Sequence, residues 1–188
     1  MHDILELPEV RRLVSRMSVA AYHDLCEACP RLIRSELVRG IIMEKVRKTP
    51  QHSFINSKLG RAISAQAPAG YLVRNHSALT LADSEVEPDV SIVAGAIDDF
   101  VTAHPATAKL AVEVATGRAE LERELTALYA EAGVQEYWII LAERQEVEVY
   151  RQPEGGQYRE VRTYTLAETI ECASVPEIRV ELAAIFPG

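Results

Sequence analysis

The segment that most constrains the fold is Leu110-Ala111-Val112-Glu113-Val114-Ala115. It is apolar except for one carboxylate and reads as a buried strand. Taking Glu113 into such a strand is costly unless a partner meets it. The chain must therefore place a strand where a carboxylate is either satisfied or used.

The segments around it predict alternating helices and strands. Met17 to Cys29 reads as a helix with Ser18 as N-cap and Pro30 as its stop. Leu37 to Val46 is β-branched enough for a strand pair or a bent strand with a turn or bulge at Gly40, a helix being the competing reading. His52 to Ala65 carries Phe54, Ile55, Leu59, Ala62 and Ile63 at helical spacing. Tyr71 to Val73, Ala78 to Leu81 and Val90 to Val93 read as strands, and Asp98 to Pro105 as a loop or short helix. Glu120 to Ala132 is an amphipathic helix with Leu121, Leu125, Leu128 and Tyr129 as its stripe and Gly133 at its C-terminus. Glu136 to Leu141, Glu146 to Arg151 and Tyr158 to Tyr164 suggest a meander with a turn at Gly155-Gly156. Val180 to Phe186 ends the chain as a strand or a last helical turn. The fold class expected is α/β or α+β, with a strand-rich centre flanked by helices.

At 188 residues the chain fits one domain, 1–188, since Pro and Gly are scattered and mark no linker. No stretch approaches the roughly 20 apolar residues of a membrane span, and the N-terminus lacks the pattern of a signal peptide, so a cytoplasmic protein is expected. Three cysteines, Cys26, Cys29 and Cys172, are too few for a disulfide framework. His23, Cys26 and Cys29 recur every third residue but form an incomplete zinc set.

The net charge of −8 argues against a protein that coats nucleic acid. From Arg31 to Arg74, however, nine basic residues stand against two acidic ones, Lys48 among them, a local balance of +7 that leaves −15 for the rest. This asymmetry can offer a basic surface to an anionic substrate, or be an ordinary solvated face. Glu36, Asp89 and Glu113 share a setting at strand ends or within strands. Carboxylates at neighbouring strand ends can converge on magnesium, which prefers oxygen ligands. A strand-end Asp and a Glu paired with Arg or Lys explain the same pattern.

Glu87-Pro88-Asp89-Val90, Leu110-Ala111-Val112-Glu113-Val114, Leu128-Tyr129 and Gly133-Val134-Gln135-Glu136-Tyr137-Trp138 together resemble a bacterial family, the putative restriction endonucleases common in cyanobacteria. That family belongs to the PD-(D/E)XK nuclease superfamily. The likeness runs from Met17 through Glu36-Leu37-Val38-Arg39-Gly40 and Gln51-His52 to Leu182–Phe186, leaving residues 1–16 as an N-terminal extension.

The resemblance implies a restriction-endonuclease-like core, a mixed sheet of four or five strands with helices on both faces, extended by the C-terminal meander. It implies that Asp89, Glu113 and the backbone carbonyl of Val114 hold Mg2+ or Mn2+, with Glu36 as a third acid. His52, Lys48 and Arg118 would face a DNA substrate, and a homodimer is expected.

One departure matters. The superfamily lysine two residues past the Glu would be Ala115, and the position this family uses on the next helix, four residues before Tyr129, is Leu125. The family's acidic position one turn earlier is Leu121. All four lysines, Lys45, Lys48, Lys58 and Lys109, precede Glu113. Arg123 or Arg118 is the expected electrostatic substitute, although an arginine gives up a proton poorly and presents a different geometry, and Lys109 at the start of its strand is a further candidate. The two readings are thus a Mg-dependent DNA endonuclease and a catalytically inactive nuclease-fold binding protein.

Overall fold

A computed structural model describes residues 9, 13–117 and 119–187. In chain order its elements are α1 (Val19–Ala28), β1 (Ser35–Val38), β2 (Ile41–Glu44), α2 (Pro50–Ser64), β3 (Tyr71–Asn75), β4 (Leu79–Thr80), β5 (Glu85–Val86), β6 (Val90–Ala94), β7 (Leu110–Ala115), α3 (Glu120–Glu131), β8 (Glu136–Leu141), β9 (Glu146–Glu154), β10 (Gln157–Thr165), β11 (Thr169–Glu171), β12 (Arg179–Glu181) and α4 (Leu182–Ile185). Two short 3-10 turns, Pro30–Arg34 and Ile97–Phe100, join them. No described helix is long and apolar enough to cross a membrane. Most of the expected N-terminal extension lies outside the described residues.

The chain packs as two compact units, one ending at Lys45 and including Ala82–Val86, the other Val46–Leu81 with Glu87–Gly188. In the first, β1 and β2 form an antiparallel hairpin in which Val38 faces Ile41. Arg39 and Gly40 make its two-residue turn, both with positive φ, 52° and 75°. That combination defines the turn type matching strand twist, which is why Leu37–Val46 is a hairpin and not a helix. β1 also pairs with β5. On α1, Ser18 caps through its hydroxyl, and buried Tyr22 donates its hydroxyl to the Ser35 carbonyl at 3.0 Å. Glu36 lies on β1 opposite Met43.

The second unit is built on a six-stranded mixed sheet in the order β10-β9-β8-β7-β6-β3. Only β7 and β8 are parallel, joined through α3. The strands β3, β6, β7 and β8 form the mixed core that the resemblance suggests, and the meander of β9 and β10 extends the same sheet.

Side chains alternate across each strand. Leu110, Val112 and Val114 join Trp138, Ile140 and the α2 residues Ile55, Leu59 and Ile63 in one buried cluster, closed by β11, β12 and α4. Ala111, Glu113 and Ala115 therefore face the other side of the sheet, where α3 packs, and there the Tyr129 and Tyr137 rings lie 4.6 Å apart. Each fully buried Ile or Leu stabilises this arrangement by about 1.5–3 kcal/mol.

α2 begins two residues earlier than the apolar spacing suggests, because Thr49 caps it through its hydroxyl and Pro50 occupies the first helical position. On α3, Leu125, Leu128 and Tyr129 are buried as expected, but Leu121 is 44% exposed.

Candidate active site

Asp89 follows Pro88 immediately before β6, where Val90 pairs with Val112. The ladder therefore ends with Asp89 beside Glu113. Asp89 is 4% exposed, and both its oxygens are engaged. Oδ2 accepts from His52 Nε2 at 2.9 Å and from the Val114 backbone N–H at 2.9 Å. Oδ1 accepts from Lys48 Nζ at 2.8 Å and lies 3.3 Å from His76 Nδ1. Burial pushes the Asp89 carboxyl up, but bonds from His52 and His76, the charge of His52 and the Lys48 bond outweigh it. Asp89 is held well below the usual carboxylate range.

The side-chain partners come from two elements. Lys48 stands just before the Thr49 cap of α2, while His52 and Asn56, one helical turn apart, project from the same face of that helix. His76 follows β3, whose last residue Asn75 pairs with Val90, so it falls next to Asp89. Its φ of 46° is left-handed, uncommon for a residue with a Cβ. The His76 ring also touches Lys48 Nζ and lies 2.8 Å from Asn56 Nδ2 through Nε2. His52 Nδ1 and Asn56 Oδ1 are buried without a protein partner among the described residues. Buried polar atoms are nearly always paired, so this cluster is incomplete by itself.

Glu113 is half-buried and accepts from the Tyr129 hydroxyl at 2.9 Å. This partner is a phenol supplied by α3. Glu122, in the first turn of α3, has its carboxyl pushed up by burial and further by the charge of Asp89.

Arg123 directs its fork to Glu148 on β9, at 3.0 and 2.6 Å. Arg118 lies outside the described residues. Leu125, at the family's lysine position, is buried. A cleft of about 400 Å³ opens past the ends of β7 and β8 between Gly117, Glu120, Arg123, Leu141 and Arg144, with neither Asp89 nor Glu113 in its wall.

The donor set suits a hard cation. Among the described residues no three His, Cys, Asp or Glu side chains form a ready-made metal cage. Magnesium is commonly bound through one or two carboxylates with water and substrate phosphate making up the rest. Asp89 has one oxygen that can serve in that way. The Oδ2 partners are a buried imidazole and a strand amide, whereas the Oδ1 partners Lys48 and His76 have side chains 40% and 39% exposed.

The family model described as putative restriction endonuclease matches residues 19–184. The chain belongs to the putative restriction endonuclease family. Among solved structures, one similar to this family member is the crystal structure of a putative nuclease of the DUF820 group from Anabaena variabilis. The two share 18% identity over 81% of this chain and 89% of that one, with a TM-score of 0.70. At that identity the likeness shows the nuclease-like fold. No curated protein matches the chain.

Sequence reasoning missed His76 and Asn56, and it gave Tyr129 no role beside Glu113. His76 and Asn56 carry no motif, and only the pairing of β3 with β6 and the helical spacing from His52 bring them to Asp89.

Proposed function

We propose that this chain hydrolyses phosphodiester bonds of DNA with the help of Mg2+ or Mn2+, and that Lys48 supplies the cation that the family's helix lysine would give. The observation that carries this reading is Lys48 Nζ at 2.8 Å from Asp89 Oδ1. A cationic side chain thus reaches the carboxylate centre although α3 offers none at Leu125.

The ion would be held by Asp89, Glu113 and the Val114 carbonyl. Val114 directs its N–H toward Asp89, and a strand residue sends its carbonyl to the same side as its N–H. When bound, such an ion polarises a phosphate and lowers the pKa of a water that attacks it.

The chain's own groups do the positioning. His52 and the Val114 amide fix Oδ2 and leave Oδ1 to the half-exposed Lys48 and His76 side chains. Tyr129 aims the Glu113 carboxylate. Lys48, a compact charge on a flexible stem, can offset charge developing on the phosphate.

One observation favours the inactive reading. Leu125 is buried and Leu121 is apolar, so α3 lacks both polar groups of the family pattern. The test is Mg2+- and Mn2+-dependent cleavage of single-stranded, double-stranded and branched DNA, with Glu113→Gln and Lys48→Met prepared identically. Cleavage lost in both variants supports the nuclease. A folded wild type that binds Mn2+ and cuts none of these substrates supports the inactive reading.

The homodimer and cytoplasmic setting expected from the sequence belong to this proposal, and light scattering of the purified chain tests the dimer.

A further inference from the structure

We infer that Lys48 is a displaceable internal counter-ion: it holds Asp89 Oδ1, and a divalent ion entering at that oxygen must release it. The inference rests on the metal reading above and adds a role for one side chain within it.

The argument is the asymmetry of a single carboxylate. On the Oδ2 side, His52 is packed into the core side of α2 with its side chain 9% exposed, and the Val114 N–H is part of a strand. Neither can leave without unpacking the sheet. On the Oδ1 side, Lys48 is 40% exposed and reaches Asp89 from the residue before the Thr49 cap. The cap fixes its backbone, while its four-carbon stem is free to rotate toward water.

An ammonium 2.8 Å from Oδ1 occupies the space that a divalent ion on the same oxygen needs. Two like charges at such separation repel strongly in a partly buried setting. Binding the ion therefore competes with the Lys48 contact. The released ammonium remains tethered beside the centre, where a substrate phosphate is its natural new partner.

Removing the competing charge should tighten metal binding even though it removes a group useful to catalysis. The experiment measures Mn2+ affinity by the loss of the free-ion paramagnetic resonance signal, for folded wild type, Lys48→Met, Lys48→Gln and Asp89→Asn. Both Lys48 variants should bind Mn2+ about tenfold more tightly than wild type, a shift equal to about 1.4 kcal/mol, and Asp89→Asn should bind much more weakly. Unchanged or weaker affinity in the two Lys48 variants, with Asp89→Asn still impaired, overturns the counter-ion role and leaves the metal reading standing. Equal Mn2+ binding by wild type and Asp89→Asn overturns the metal reading itself.

Discussion

Two carboxylates of the larger unit, Glu136 and Asp89, are buried at the entrance to strands and are held in opposite ways. Glu136 is fully buried and accepts from Trp138 Nε1 at 2.9 Å, Arg151 Nε at 2.9 Å and the Ser174 N–H at 3.2 Å, with the Cys172 thiol at 3.5 Å. Arg151 is itself tied to the Glu171 carbonyl at 2.6 Å and is mostly buried. Every partner belongs to the core or to the backbone. Asp89 has the same number of contacts, but two of them come from half-exposed side chains. A carboxylate closed on all sides stabilises a fold, whereas one that keeps an exchangeable oxygen can take a ligand.

The sharpest way to break this contrast is to remove each carboxylate. Glu136→Ala should lower stability by about 3–5 kcal/mol, because Arg151 is left as a buried charge without its partner. Urea unfolding measures it. Burial first, and then the charge of Glu136, pushes the Cys172 thiol up to about 12. Removing that charge leaves the larger effect of burial in place, so Cys172 of the variant should react with a disulfide reagent at a lower pH than in wild type while staying slower than the partly exposed Cys26 and Cys29. Asp89→Asn should cost less, about 1–3 kcal/mol, since Lys48 and His76 can turn to water while the amide keeps part of its hydrogen bonding. Equal losses in the two variants would erase the distinction between a structural and an open carboxylate.

A smaller effect tests the neighbour of Asp89. Tyr129→Phe removes the hydroxyl that meets Glu113 and keeps the ring packed against Tyr137. The expected loss is about 1 kcal/mol in urea unfolding. A neutral result would mean that Glu113 is satisfied as well without the phenol.

Periodicity and turn chemistry carried most of the architecture. Glu113 within Leu110–Ala115, the helix over Glu120–Ala132 and the turn at Gly155-Gly156 are local patterns, and the structure has an element at each. The site was less legible, because its members meet through strand pairing. Nothing near His76 in the sequence distinguishes it from an ordinary loop histidine. Only the antiparallel pairing of Asn75 with Val90 sets it against Asp89. The surroundings of Lys48 were equally silent, since its place depends on where Thr49 starts α2. Arg123 was legible as a cation on α3, but Glu148 arrives from β9, a strand 25 residues later, and no local rule pairs them.

Arg123 gives the smallest predicted effect and the clearest sign. Its hydrogen bond to Glu148 is the main reason that this carboxyl lies below the usual range, with burial opposing it. A carboxyl whose folded pKa is depressed stabilises the protein above its unfolded value, about 4.3, and that stabilisation is lost as pH falls through the folded value. Arg123 is 40% exposed, so screening by water keeps the pair near 0.5 kcal/mol. Arg123→Gln should therefore unfold at slightly lower urea than wild type at pH 7, and the gap should shrink at high salt and close in acid. A gap of the same size at pH 7 and in acid would assign the effect to the packed stem of the side chain rather than to its charge. The stabilising effect of Arg123 would then owe little to the Glu148 pair.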